Sequence, residues 1–138
     1  MIAGRELTYS TKGFSDVINI TDEVQALVAE TGLRNGTAAV FSVGSTASIS
    51  TIEFEPALVK DLQETLERFL PHHMRSHHSR TWGDDNGFSH LRATLMGPGI
   101  TVPVRDGGLV LGTWQQIILI DHDNRPRSRR VYVQLTGE

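Results

Sequence analysis

The sequence predicts an α+β domain, with a mixed, mainly antiparallel β-sheet backed by two helices. Three observations carry that expectation. Two segments, 20–28 and 58–70, repeat apolar residues at helical spacing, whereas the remaining apolar residues fall in short runs rich in β-branched side chains. Glycine and proline turn signals separate those runs. The 138 residues lie in the size range of one domain, so the whole chain, 1–138, is expected to fold round a single core.

Residues 5–11 alternate loosely and predict a first strand, and the run Val17, Ile18, Ile20 leads into a helix. Thr21 is a suitable N-cap for it, Asp22 and Glu23 put negative charge in the first turn, and Gly32 supplies the stop. Asn35-Gly36 signals a turn. Residues 37–54 predict two strands, or one strand bent at Gly44, with Glu53 and Glu55 emerging at the end. Pro56 fits the first position of a second helix that Pro71 terminates, and Glu55 suits its N-terminus.

Residues 72–88 have no helix or strand pattern and are expected to form a long polar connection. A strand over 89–96 follows, then the turn Gly97-Pro98-Gly99 and a strand over 100–104. Asp106-Gly107 is a hairpin signal, and further strands are expected over 109–111, 114–121 and 129–135, with Trp114 in the core.

Composition excludes several classes of chemistry. Without cysteine there is no disulfide, thiolate metal site or cysteine nucleophile, so a metal would need histidine and carboxylate ligands. The net charge of -3 argues against nucleic acid, although Arg125, Arg127, Arg129 and Arg130 form a local basic cluster suited to an anionic polymer. No apolar run approaches the ~20 residues of a membrane span, and the N-terminus has no signal-peptide pattern, so the expectation is a soluble, cytoplasmic protein with no membrane association.

Alternation over 89–96 would set His90, Arg92 and Thr94 on one face, where a histidine and an arginine could handle a proton and an anionic group. The other reading is a solvated sheet face. His72, His73, His77 and His78, with Asp84, Asp85 and His90 nearby in sequence, leave a histidine-carboxylate metal site open, but their spacing matches no compact ligand motif and a solvated polar loop explains the first four. The run GSTASIST lacks the lysine of a phosphate-binding loop. Gln115 and Gln116 point to opposite faces, so one of them is expected to be buried and partnered.

The runs VGSTASISTIEFEPALVKDL, DDNGFSHLRATLMGPGITVPV, DGGLVLGTWQQIILID and NRPRSRRVYVQ together resemble the YjbQ family, from about residue 5 to the end. The resemblance implies an α+β fold assembled as a homotrimer, with pockets at or near subunit contacts. It also implies an activity similar to a secondary thiamine-phosphate synthase, a weak transferase joining a pyrimidine diphosphate to a thiazole phosphate and releasing pyrophosphate. The positions that match are Ser45, Thr46, Glu53, Glu55, Asp84, Asn86, Gly87, His90, Arg92, Gly97, Thr113, Trp114 and Gln115. Three positions depart: Phe88 and Gly99 stand where members commonly carry histidine and serine, and Ala57 replaces a common glycine.

On this reading His90, Asp84 and Glu53 are the catalytic candidates. Arg92, Ser45, Thr46, Asn86 and Gln115 would hold the phosphorylated small molecule, and His90 with Asp84 would bind Mg²⁺ or another divalent metal. The alternative is a non-catalytic protein that binds a phosphorylated metabolite or a metal ion at the same residues.

Overall fold

Glycine at position 32, with φ 73°, ends the first helix as its sequence requires. The computed structural model describes residues Met1–Glu138. Twelve elements follow in order: β1 (Ile2–Thr11), β2 (Asp16–Asn19), α1 (Thr21–Thr31), β3 (Gly36–Ser42), β4 (Ala47–Glu53), α2 (Pro56–Phe69), α3 (His77–Trp82), α4 (Gly87–Met96), β5 (Gly99–Arg105), β6 (Gly108–Leu109), β7 (Gln115–Asp121) and β8 (Arg127–Gly137).

The fold is α+β, with two sheets and four helices rather than one sheet and two. Strand order is β1-β8-β3-β5-β6 in the larger sheet and β2-β7-β4 in the smaller, and every pairing is antiparallel. The glycine-serine stretch after β3 carries the chain from one sheet to the other, so the segment expected as two strands or one bent strand is two strands in separate sheets. Val131, Val133 and Leu135 of β8, Val40 of β3 and Ile117 and Leu119 of β7 meet Val24 and Val28 of α1 in one core. Ile118 and Ile120 point to the opposite face of β7 and are also buried. Helix α4 packs against β4 of that same small sheet. No helix is long and apolar enough to cross a membrane.

Four local expectations change. Val17 and Ile18 lie in β2, which pairs with β7 before α1 begins. The Thr21 hydroxyl caps no helix N–H: it donates to Asn19 Oδ1 and accepts from Ile117 N–H, tying α1 to the small sheet. Residues 89–96 are helix α4, not a strand. The long connection before it contains the short helix α3. The α4 sequence misleads because its buried stripe, Phe88, Ser89, Arg92 and Ala93, has helical spacing but is half polar, while Leu91 and Leu95 are exposed. Glu55, in contrast, caps α2 as expected, accepting from Ala57 and Leu58 N–H.

Candidate functional site

Helices α3 and α4 meet at their N-termini, and this contact builds the cleft. Ser76 caps α3 by accepting from Ser79 N–H. Gly83 (φ 71°) ends that helix, and Asp85 (φ 55°) turns the chain towards α4. A Cβ on Gly87 would lie 2.2 Å from Ser76 Oγ, so only glycine permits this approach. The result brings the His78 and His90 rings to 4.6 Å between centroids.

The two imidazoles sit beside acidic and amide groups. His78 Nε2 lies 3.5 Å from Asp84 Oδ1 without forming a hydrogen bond, and both His78 Nε2 and Asn86 Oδ1 are buried without a partner. Asn86 donates to Asp123 Oδ1 at 3.3 Å, and Asn124 donates to the Asp84 carbonyl at 2.8 Å. Burial, then the neighbouring His78, holds the His90 pKa below its ordinary value despite Asp123 and Asp84 nearby. His90 is therefore a neutral imidazole at pH 7, able to ligate a cation or share a proton. A cavity of about 330 Å³ opens beside it, lined by Met74, Arg75, Ser76, His78, His90 and Leu91 among others.

Arg92 faces away from this cleft. Two residues beyond His90 on a helix, it points inward and is 1% exposed. Its guanidinium donates to the Leu70 carbonyl, Glu67 Oε2 and Ser15 Oγ at 2.7–3.0 Å and lies 4.9 Å from the Phe88 ring centroid. The shared face expected for His90 and Arg92 does not exist, and Arg92 is a buried strut instead of an exposed phosphate ligand.

Behind Arg92 lies a polar network that sequence reasoning missed. Ser15 Oγ accepts from Arg92, which leaves its own proton for His122 Nδ1 at 2.7 Å. The other ring nitrogen, Nε2, then carries hydrogen and donates to Ser48 Oγ at 3.1 Å. His122 is fully buried, and burial followed by the Arg92 charge pushes its pKa down to about 3.

Asp121 and Asp123 flank it. Arg129 grips Asp121 through two hydrogen bonds at 2.7 and 2.8 Å, joined by the Thr11 hydroxyl. Asp123 accepts from Thr46, Asn86, Arg127 and Asn124 N–H. These bonds hold both carboxyls below the usual range although burial opposes it. The available signal was LIDHDN: charged residues follow the apolar run of β7 with no turn residue between.

The other expected residues divide between this network and a remote end of the small sheet. Thr46 is buried in the network, while Ser45 is exposed. Glu53 pairs in register with Gln115, six positions along β4 from the Ala47–Asp121 pair, or ~20 Å at strand rise. Gln115 is exposed and donates to Thr51 Oγ1, whereas half-buried Gln116 accepts from Asn19 Nδ2. Trp114, expected in the core, is 71% exposed beside a separate cavity of about 340 Å³ that Glu53 and Gln116 also line.

His90 and Asp84 do not form a three-ligand group with any other histidine or carboxylate. The residues whose ligand atoms all lie within 4.8 Å of one another are Glu67, His72 and His73. The arginine cluster is not a free basic patch either, because Arg129 is buried, Arg127 pairs with Asp123, and Arg130 lies 3.8 Å from Glu6.

The sequence pattern described as "UPF0047 protein YjbQ-like" matches residues 5–138. A UPF0047 protein of Archaeoglobus fulgidus is 38% identical over 129 residues, covering 94% of this chain and 98% of that one. One from Methanothermobacter thermautotrophicus is 39% identical, covering 97% and 92%. Among solved structures, a YbjQ-like protein of unknown function from Sulfolobus solfataricus superposes with a TM-score of 0.93 at 34% identity, covering 100% of this chain and 99% of that one. A YjbQ/UPF0047 family protein of Clostridium acetobutylicum gives 0.88 at 32% identity, covering 96% and 99%.

Proposed function

The chain belongs to the YjbQ-like UPF0047 family, and from that premise we propose a transferase that joins two phosphorylated substrates as a thiamine-phosphate synthase does, at the His78–His90 cleft. The observation that carries this reading is a neutral, partly open His90 packed on His78 beside an unspent acceptor, Asn86 Oδ1. In the reaction the carbon–oxygen bond to diphosphate breaks as a thiazole nitrogen forms a carbon–nitrogen bond to the same carbon.

His90 donates its ring N–H to the departing oxygen or ligates a cation, and Asp84 orients the pair through His78. Arg75, which lines the cleft, takes the phosphate role once expected of Arg92. The carboxylate of Asp84 and the orphaned Asn86 oxygen are hard donors that fit Mg²⁺, which when bound neutralises charge on the diphosphate.

With pyrimidine diphosphate, thiazole phosphate and Mg²⁺, the purified protein is expected to form thiamine phosphate, and His90→Ala to reduce the rate at least ~100-fold. Unchanged activity in His90→Ala removes that residue from the mechanism. Micromolar binding by calorimetry without turnover favours the non-catalytic binding protein instead.

Glu53 and Gln115 lie at the end of β4 and β7 away from Asp121, ~20 Å from it at strand rise, whereas His90 lies on the side of Asp123. A homotrimer that sets this end of one subunit on the cleft of the next would unite them, and exposed Trp114 and Phe54 supply apolar surface for the contact. Light scattering is expected to give three times the 15.3 kDa chain mass, and a monomer mass would exclude this arrangement.

A further inference from the structure

We propose that Glu67, His72 and His73 form a second site, separate from the His78–His90 cleft, that binds a zinc-class divalent cation. Glu67 stands near the end of α2, and the two histidines follow Pro71, which stops the helix. His72 Nδ1 lies 2.6 Å and His73 Nδ1 3.9 Å from the same oxygen, Glu67 Oε1. Around a tetrahedral ion with bonds of about 2.0–2.2 Å, neighbouring ligand atoms stand ~3.3 Å apart. One contact must open and the other close by less than an ångström, within the rotamer freedom of the two exposed histidines. Two imidazoles and one carboxylate leave a fourth position for an exchangeable ligand, and the donor set suits zinc better than magnesium.

The surroundings hold these ligands from behind. Arg92 donates to Glu67 Oε2, so Oε1 is the oxygen left for His72 and His73, and the arginine itself is fixed by the Leu70 carbonyl and Ser15 Oγ. A charged donor on the far oxygen is how proteins orient a metal-binding carboxylate. The loop that supplies Ser15 also supplies Phe14, whose ring meets His72 edge-on at 5.5 Å between centroids. Gly13, Phe14 and Ser15 all have positive φ (87°, 54° and 64°), a costly conformation for the last two that aims one side chain at Arg92 and the other at His72. In front, a cavity of about 520 Å³ begins at His72 and His73 and continues to Arg80, which suits an anion as the fourth ligand; Arg75 stands in the wall between this cavity and the His78–His90 cleft.

Untagged protein stripped of metal and titrated with zinc by calorimetry tests the site. One zinc equivalent is expected to disappear in the double variant His72→Ala/His73→Ala, and Glu67→Gln to weaken it at least ~10-fold. Arg92→Lys, checked for native fold by circular dichroism, should weaken the same equivalent ~10-fold while leaving every ligand in place. Zinc retained in the double variant, or no zinc bound by the parent protein, overturns the proposal. Zinc lost only in His90→Ala also overturns it and moves the ion to the cleft, so this site and the transferase reading fail separately.

Discussion

Arg129→Ala is expected to lower the unfolding free energy by about 3–5 kcal/mol, the loss typical of removing one partner from a buried ion pair. Asp121 is 0% exposed and takes two hydrogen bonds from Arg129, whose guanidinium also donates to Thr46 and lies 3.6 Å from Asp123. Alanine leaves two buried carboxylates short of positive charge in the interior, where water cannot replace it. β8 and β7 belong to different sheets, so the pair also ties the two layers together. Urea unfolding monitored by circular dichroism measures the effect. A loss below ~1 kcal/mol would mean that the network reorganises around the missing charge. Because desolvation limits the net worth of such a pair, an apolar replacement of both partners should recover part of the loss.

Stability is also expected to fall as pH drops from about 6.5 towards 3, with His122 responsible for most of the decline. Its folded pKa is pushed down to about 3, against about 6.5 when unfolded. Between those values the unfolded chain binds a proton that the folded chain refuses, so stability rises with pH through this window and the contribution is complete above it. The gap corresponds to roughly 5 kcal/mol at most.

His90 acts in the same direction, with its lowered pKa. Asp121 and Asp123, held below their ordinary values, add stability above about pH 3.8 that is lost as pH falls through their folded pKa values. The interval from 6.5 to 4 thus separates the histidines from the carboxylates. Denaturation midpoints at several pH values in that interval should fall steeply for the parent and more gently for His122→Gln, although the variant is weaker at pH 7. Equal slopes would exclude His122 as the cause.

Helix α2 was legible because its start and stop are chemical: Glu55 and Pro56 open it, Pro71 closes it, and its apolar residues keep one period. Strand β8 was legible because Val131, Val133 and Leu135 alternate with exposed polar residues. Helix α4 was not, since a buried arginine and serine replaced the apolar residues that would have marked its inner face. The same substitution hid the role of Arg92. Trp114 was misplaced for the opposite reason: an aromatic residue suggests burial, yet it precedes β7 at a sheet end that this chain does not cover.

By itself the sequence determined the fold class, the family and two of the helices. Each rests on local spacing, turn chemistry or motif order, which exist before the chain folds. Tertiary structure alone decided that His78 meets His90, that Arg92 turns inward to Glu67, and that Asp121, His122 and Asp123 share one buried network with Arg129. Hydrogen-bonded side chains in that network are up to 110 residues apart, as for Thr11 and Asp121. Only burial and hydrogen bonding across two sheets determine whether a polar side chain faces solvent, a ligand or another charge.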